Sequence, residues 1–376
     1  MYTQDQQLIF DSAQRLSKER LAPGAGAREV AAKIEPEVFV ALAEMGLLGM
    51  TVSQEYDGAG ADYVSYALAL MAVAEGDGAV STVMSVHNAP FCAILERYGS
   101  AQQKQQVLRP AARGEFIGAF ALTESQAGSD ASALLTRAVR KGDHYVIDGS
   151  KQFITSGNIA KYAIVFAVTD RMNPKRNITA FLVPTDTKGY SVSKIEHKMG
   201  QKASDTCSLV FDSLKIPLEN RIGEEGEGYK IALSSLESGR IGIASQSVGM
   251  SQAALTYAIR YAGERKSFGK TLLEHQAVSF RLVEAKTKLE AARQLVLHAA
   301  RMKDSGLPCL EQACMAKLFA SETAEFVCSA AIQTFGGYGY LEDFPVERIY
   351  RDARVCQIYE GTSDVQKIIL TRSLPS

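Results

Sequence analysis

Glu360 stands between Tyr359 and Gly361 and is followed by Thr362, Ser363 and Asp364. A single carboxylate can act as a general base when water is excluded and its pKa is raised. The alternative at this spot is an acid at the N-terminal end of a helix. Arg265 opens Arg265-Lys266-Ser267-Phe268-Gly269-Lys270, and His275-Gln276 follows. An arginine there can pair with a phosphate through charge-assisted hydrogen bonds, although an isolated arginine is more commonly a solvated helix charge. Two more segments mix small, polar and aromatic residues, Ala121-Leu122-Thr123-Glu124-Ser125-Gln126-Ala127-Gly128-Ser129-Asp130 and Phe153-Ile154-Thr155-Ser156-Gly157. A last one, Gln333-Thr334-Phe335-Gly336-Gly337-Tyr338-Gly339-Tyr340, precedes Arg351-Asp352.

Other chemistries fail on spacing. Gly24-Ala25-Gly26 is followed by Glu29, and Gly337-Tyr338-Gly339 by Glu342, so neither completes a dinucleotide-binding G-x-G-x-x-G. There is no phosphate-binding G-x-x-x-x-G-K-[ST] and no G-x-S-x-G elbow. The six cysteines form no C-x-x-C, and the five histidines pair with no cysteine or carboxylate at ligand spacing. Reduced thiols and no metal are expected.

The elements that must position these groups read as helix, then strand, then helix. Residues 6–21 are amphipathic, Pro36 suits a first helical turn, and 63–75 is rich in Ala and Leu. Residues 89–98 and 101–112 read as further short helices. From about residue 116 the texture changes to short apolar runs at 162–168 and 178–183, with an alternating stretch at Cys207, Leu209 and Phe211. Asp148-Gly149 after Tyr145-Val146-Ile147 predicts a hairpin turn, and Asn173-Pro174 a turn within 171–176. After Gly226 the helical period returns. Val278, Leu282, Ala285, Leu289, Ala292, Val296 and Ala299 form one seam, and Ala313, Ala316, Ala320, Ala324, Val327 and Ala331 another. The expected architecture is α+β, with an N-terminal helical domain over 1–117, a middle β domain over 118–224 and a helical bundle over 225–376.

At 376 residues, two or three domains are expected. Lys and Arg total 41 against 42 Asp and Glu, a net charge of −1 that offers no field for a nucleic-acid backbone. No apolar run reaches the roughly 18 residues of a membrane span. The first residues lack a signal pattern, which fits a bacterial cytoplasm, although a processed mitochondrial matrix protein would look the same. There is no tryptophan among 15 Tyr and 15 Phe.

Taken in order, the four segments resemble the acyl-CoA dehydrogenase family over essentially the whole chain. The resemblance implies N-terminal helices, a barrel-like middle β domain and a C-terminal four-helix bundle. It implies FAD and a reaction in which a carboxylate takes the α-proton of an acyl-CoA thioester while the β-hydrogen leaves as hydride to the flavin. Glu360 matches the family's base. Its N–H, with a flavin hydroxyl, would stabilise the developing enolate, and Gly361 would let the thioester approach. Some members carry the base on the first long bundle helix instead, immediately before an arginine. Here that position is Gly239, before Arg240, and Glu237 would point away.

The resemblance carries further residues over. Ala121, Leu122 and Thr123 would meet the isoalloxazine edge, with Gly128 and Ser129 following on the same loop. Phe153, Ile154 and Thr155 would cover the ring's other side, with Phe153 in place of a frequent tryptophan. Arg265 would pair with the pyrophosphate, with Phe268 close by in the same motif. Gln276, Gln333, Gly336 and Gly337 would hold the adenosine end from a neighbouring subunit, and Thr362, Ser363 and Asp364 would complete the cofactor set. Ser129, Arg240, Gly361 and Arg372 match the substrate path, though Arg240 fits equally a structural partner of a buried carboxylate. A homotetramer, built as a dimer of dimers, is implied, with an electron-transfer flavoprotein as acceptor. The run from Ser238 to Gln246 most resembles short-chain and short-branched-chain members. An acyl-CoA oxidase or another acyl-CoA-processing flavoenzyme of the same fold, or a non-catalytic flavoprotein assembly factor, are the alternatives. Asp57 departs from the family's usual glycine.

Overall fold

The computed structural model describes residues 2–170, 172–173 and 177–374. The turn expected over 171–176 falls on positions 171 and 174–176, outside the described residues. Helix Gln4–Leu16 starts at Thr3, whose hydroxyl accepts from the Gln6 N–H while the Gln6 side chain bonds back. Two aspartates start the next important helices. Asp62 caps Tyr63–Gly76, and Asp77 caps Gly78–Val86 through the Ala79 and Val80 N–H groups. Both helices are buried nearly all round, which explains their lack of an amphipathic stripe. The stretch Gly78–Tyr98 has a mean hydropathy of 1.2 and is 94% buried inside the protein, as a core segment would be.

Eight strands follow: β1 (Gly118–Ala121), β2 (Arg137–Lys141), β3 (His144–Thr155), β4 (Tyr162–Val168), β5 (Ile178–Pro184), β6 (Tyr190–Ile195), β7 (Thr206–Pro217) and β8 (Arg221–Ile222). They form one sheet in the order β6-β7-β3-β2-β4-β5-β8, with β1 parallel to β4. On one face Tyr145, Ile147, Val165, Phe181 and Phe211 pack together in one apolar cluster, the interior of a barrel-like domain. On the other face Ile164, Phe166 and Ile178 meet Phe91, Leu95 and Ile231 from the flanking helices. Residues 162–168 are therefore apolar without a break because both faces are covered.

The hairpin expected at Asp148-Gly149 is absent. β3 runs straight through it, and the β2–β3 turn falls at Gly142, where φ is +63°. The pairing with β7 slips between Ile147 and Gly149, so the two residues form an irregularity in the strand. The glycine is required by crowding, since a Cβ there would stand 2.6 Å from Thr136 Oγ1.

Three long helices, Gly228–Glu264, Gln276–Asp304 and Leu310–Phe335, carry the predicted seams inward. Ala313, Ala316, Ala320, Ala324, Val327 and Ala331 are all buried. Val64, Leu68 and Met71 of helix Tyr63–Gly76 join the same core. The chain then closes with Pro345–Arg354 and Ser363–Thr371. Asp57, the residue that departs from glycine, sits at φ +61° and pairs with Arg113 at 2.8 Å and Arg109 at 3.2 Å. The backbone there asks for glycine, and the aspartate is held by two cations instead.

Candidate functional site

Glu360 lies in the turn before helix Ser363–Thr371, with φ +54°, and Gly361 follows at φ +86°. Two successive left-handed residues reverse the chain. Their carbonyls are held: Gln366 Nε2 donates to Glu360 O at 3.3 Å and Gly361 O at 2.9 Å, and Lys317 Nζ donates to Gly361 O at 2.7 Å. The Thr362 hydroxyl caps the helix through the Val365 N–H, so Glu360 is not the capping acid. Its Oε2 is buried and has no hydrogen-bond partner among the described residues. Nor does an acceptor stand on its backbone N–H among them.

The carboxylate is aimed at Gly239. A Cβ on Gly239 would stand 2.8 Å from Oε2 and 3.3 Å from the carboxyl carbon. One helical turn on, Gly242 faces the Tyr66 hydroxyl and Ser85 Oγ. Burial pushes Glu360 above the usual carboxylate range, against the opposing pull of Arg240 and Lys317. Lys317 is itself fully buried, and burial brings it down to about 8. Arg240 is 4% exposed, and its Nε is unpaired among the described residues. It is thus both near the buried carboxylate and free to take a further acceptor. Glu237 points elsewhere and bonds Lys303 at 2.8 Å.

Tyr359 anchors the other side of the turn. Its hydroxyl bonds Gln246 Oε1, and Gln246 Nε2 donates to Ser81 Oγ at 2.7 Å and Thr82 Oγ1 at 2.6 Å. Thr82 in turn donates to Gln201 Oε1, and the Gln201 N–H donates to Asp352. Burial pushes Asp352 up to about 7. This polar chain draws on the N-terminal helices, the loop after β6 and the bundle.

A second group gathers at the end of β1. Ala121 and Leu122 are buried, while Thr123 is half-buried and offers both its N–H and its hydroxyl, neither bonded among the described residues. Its carbonyl accepts from the Gln152 N–H at 2.9 Å. Next along β3, Phe153 is 62% exposed at φ +58°. Bulky residues rarely adopt a left-handed backbone, and this one does so with its ring exposed. Ile154 is buried in the sheet, and Thr155 is half-buried. Gly128 and Ser129 lie exposed on the loop between β1 and β2.

A third group lies on the bundle. Arg265, Gln333, Gly336 and Gly337 line one cavity of about 570 Å³, with Arg281 and Tyr338. Arg265 sits over the Tyr338 ring, 5.7 Å from its centroid. Phe268 is 95% exposed at φ +50°, and Gln276 is exposed at the start of its helix, outside that cavity. Among the described residues no hydrogen bond or ring contact joins this group to Thr123 or Phe153. Arg372 ends the last helix, exposed, a nine-residue helix away from Glu360. No cluster of His, Cys, Asp and Glu among the described residues could hold a metal, and all six cysteines are free and buried.

Sequence reasoning missed Lys317, Gln366 and the ion pair of Glu124 with Lys151. Lys317 left a trace, because it sits four residues after Ala313 on the buried alanine seam. Glutamine and buried pairs carry no such signature.

Family models described as "Acyl-CoA dehydrogenase, N-terminal domain", "middle domain" and "C-terminal domain" match residues 3–115, 119–214 and 226–374. The chain is 41% identical over 369 residues to a short-chain specific acyl-CoA dehydrogenase of Clostridium acetobutylicum, covering 98% of this chain and 97% of that one. Butyryl-CoA dehydrogenase from Megasphaera elsdenii superposes with a TM-score of 0.97 at 40% identity, over 99% and 98% of the two chains. A chain in a structure of the electron transferring flavoprotein of Acidaminococcus fermentans, a study of flavin-based electron bifurcation, gives 0.98 at 42%, over 99% and 98%.

Proposed function

The chain belongs to the acyl-CoA dehydrogenase family, and we propose that it converts a short straight or branched acyl-CoA to the trans-2-enoyl-CoA, with FAD as cofactor and Glu360 as base. The observation that carries this reading is the buried, unpartnered Glu360 carboxylate facing the empty side of Gly239. Desolvation raises its proton affinity, and an unpaired oxygen leaves a lone pair for the substrate's α-proton. The unbonded Glu360 N–H supplies a donor for the thioester oxygen as negative charge develops on it. Gly361 keeps the approach to that backbone open.

The residues present fit a flavin. Thr123 presents a free N–H and hydroxyl, and Phe153 an exposed aromatic face. Arg265, Gln333, Gly336 and Gly337 share a cavity with a cation at hand. FAD, when bound, supplies the two-electron acceptor for the β-hydrogen. Ser129, Arg240 and Gly361 are assigned to the substrate path, Arg372 to its outer end. Because no hydrogen bond or ring contact joins the bundle group to the Thr123 group among the described residues, we assign the two to different subunits of a dimer. Exposed Phe280, Val283 and Phe319 on the bundle give apolar surface for pairing into a dimer of dimers. The domain limits 1–117, 118–224 and 225–376 belong to the same proposal. So do electron transfer to an electron-transfer flavoprotein and a bacterial cytoplasmic setting, which the similarity to bacterial chains supports.

The test is Glu360→Gln. The variant should purify yellow and fail to bleach with butyryl- or isobutyryl-CoA. Bleaching at the wild-type rate sinks the assignment.

A further inference from the structure

Lys151 is 1% exposed and Glu124 is 4% exposed, and they form an ion pair at 2.8 Å. Lys151 Nζ makes a second bond, to Leu122 O at 2.9 Å. The Glu124 carboxylate also accepts from the Leu135 N–H at 2.7 Å, the Thr136 N–H at 3.1 Å and Gln126 Nε2 at 2.8 Å. Every lone-pair direction on Glu124 is thereby used, and the loop from 124 to 136 is closed around it. Burying two charges costs several kcal/mol per ion, and apolar replacements of such pairs are often neutral or stabilising. Stability alone is therefore a poor reason for the pair. What an apolar pair could not do is place a cation on the Leu122 carbonyl.

That carbonyl belongs to the same peptide unit as the Thr123 N–H, which no acceptor takes among the described residues. A cation bonded to a peptide oxygen draws electron density from the nitrogen and strengthens the N–H as a donor. Lys151 also sits two residues before Phe153, and the intervening Gln152 N–H holds Thr123 O. The pair thus braces both segments assigned to the flavin. We propose that the Glu124–Lys151 pair is a positioning device that fixes and polarises the Leu122–Thr123 peptide against the isoalloxazine edge, and so favours the reduced cofactor. This rests on the flavin reading above. A reduced flavin carries negative charge on that edge, so a stronger donor there raises the reduction potential.

The test uses FAD-loaded enzyme. Lys151→Met, Lys151→Arg and the double variant Glu124→Gln/Lys151→Met are compared with wild type for flavin midpoint potential and FAD affinity, with melting temperature as a folding control. The double variant, which buries no charge, guards against a single variant that fails to fold. The Met variants should show a more negative potential and FAD affinity lower on the order of 10-fold, the size of one charge-assisted bond. Lys151→Arg should keep the potential close to wild type. A folded double variant with wild-type potential and affinity overturns the proposal and leaves the flavin reading standing. Wild-type protein that takes up no FAD overturns both.

Discussion

Gly239 makes room for Glu360: the place of its missing Cβ lies 2.8 Å from the Glu360 Oε2 atom. The two residues are 121 positions apart in the chain. One long helix gives up a side chain so that a carboxylate from a distant turn can lie against its backbone.

Gly239→Ala should therefore separate stability from chemistry. Alanine in a helix interior is favoured over glycine by up to about 1 kcal/mol. The obstructing atom is the far end of a flexible side chain, so the fold can yield by moving the carboxylate. The variant should melt at or above the wild-type temperature and keep its flavin. Its kcat for butyryl-CoA should fall at least about 10-fold, since small misplacements of reacting groups are costly. Unchanged kcat would show that Glu360 works from another position.

Lys317 tests the electrostatics. Its ammonium lowers the pKa of Glu360 against the larger upward push of burial. Removing the cation leaves burial less opposed, so the Glu360 pKa must rise. A base works when deprotonated, so the acidic limb of the kcat profile should move to higher pH in Lys317→Met. The wild-type limb should already lie above the ordinary carboxylate range. A limb that stays in place would mean that another group sets it.

Much of this arrangement was legible in the chain, for identifiable reasons. The long helices are readable because their seams repeat at helical spacing, and β4 and β5 because they are short, mostly apolar runs of strand length. Asp148-Gly149 does not turn as local preference predicts, because that preference cannot see Thr136 crowding the glycine from a neighbouring segment. Glu360 and Arg265 stood out through their neighbours in sequence. Lys317, Gln366 and the Lys151–Glu124 pair did not, because each acts through a backbone carbonyl brought close only by folding.

Arg265→Ala probes the division of the cofactor site. Arg265 is exposed in one chain and sits over the Tyr338 ring in its cavity. If it meets a phosphate across a subunit interface, its loss should weaken FAD retention without lowering the stability of the apoprotein. Flavin content after dialysis, read against total protein, checks this. Stoichiometric flavin at wild-type affinity would remove Arg265 from the site.

Asp352 gives a prediction about stability against pH. Its carboxyl is pushed by burial from 3.8 up to about 7, with the Gln201 N–H pulling the other way. The folded chain therefore holds this proton more tightly than the unfolded chain does. Protonation favours folding, so the contribution is fully present below about 4 and is lost as pH rises through about 7. Asn in place of Asp keeps an acceptor for the Gln201 N–H and cannot ionise. Asp352→Asn should match wild type in acid and become the more stable of the two toward neutral pH. Chemical denaturation at pH 5 and pH 8 measures the difference. Because Gln201 connects onward through Thr82 and Gln246 to Tyr359, the same substitution should leave the Glu360 turn in place and keep activity at pH 8. Equal pH slopes for the two proteins would show that the buried carboxyl stays ionised in the fold.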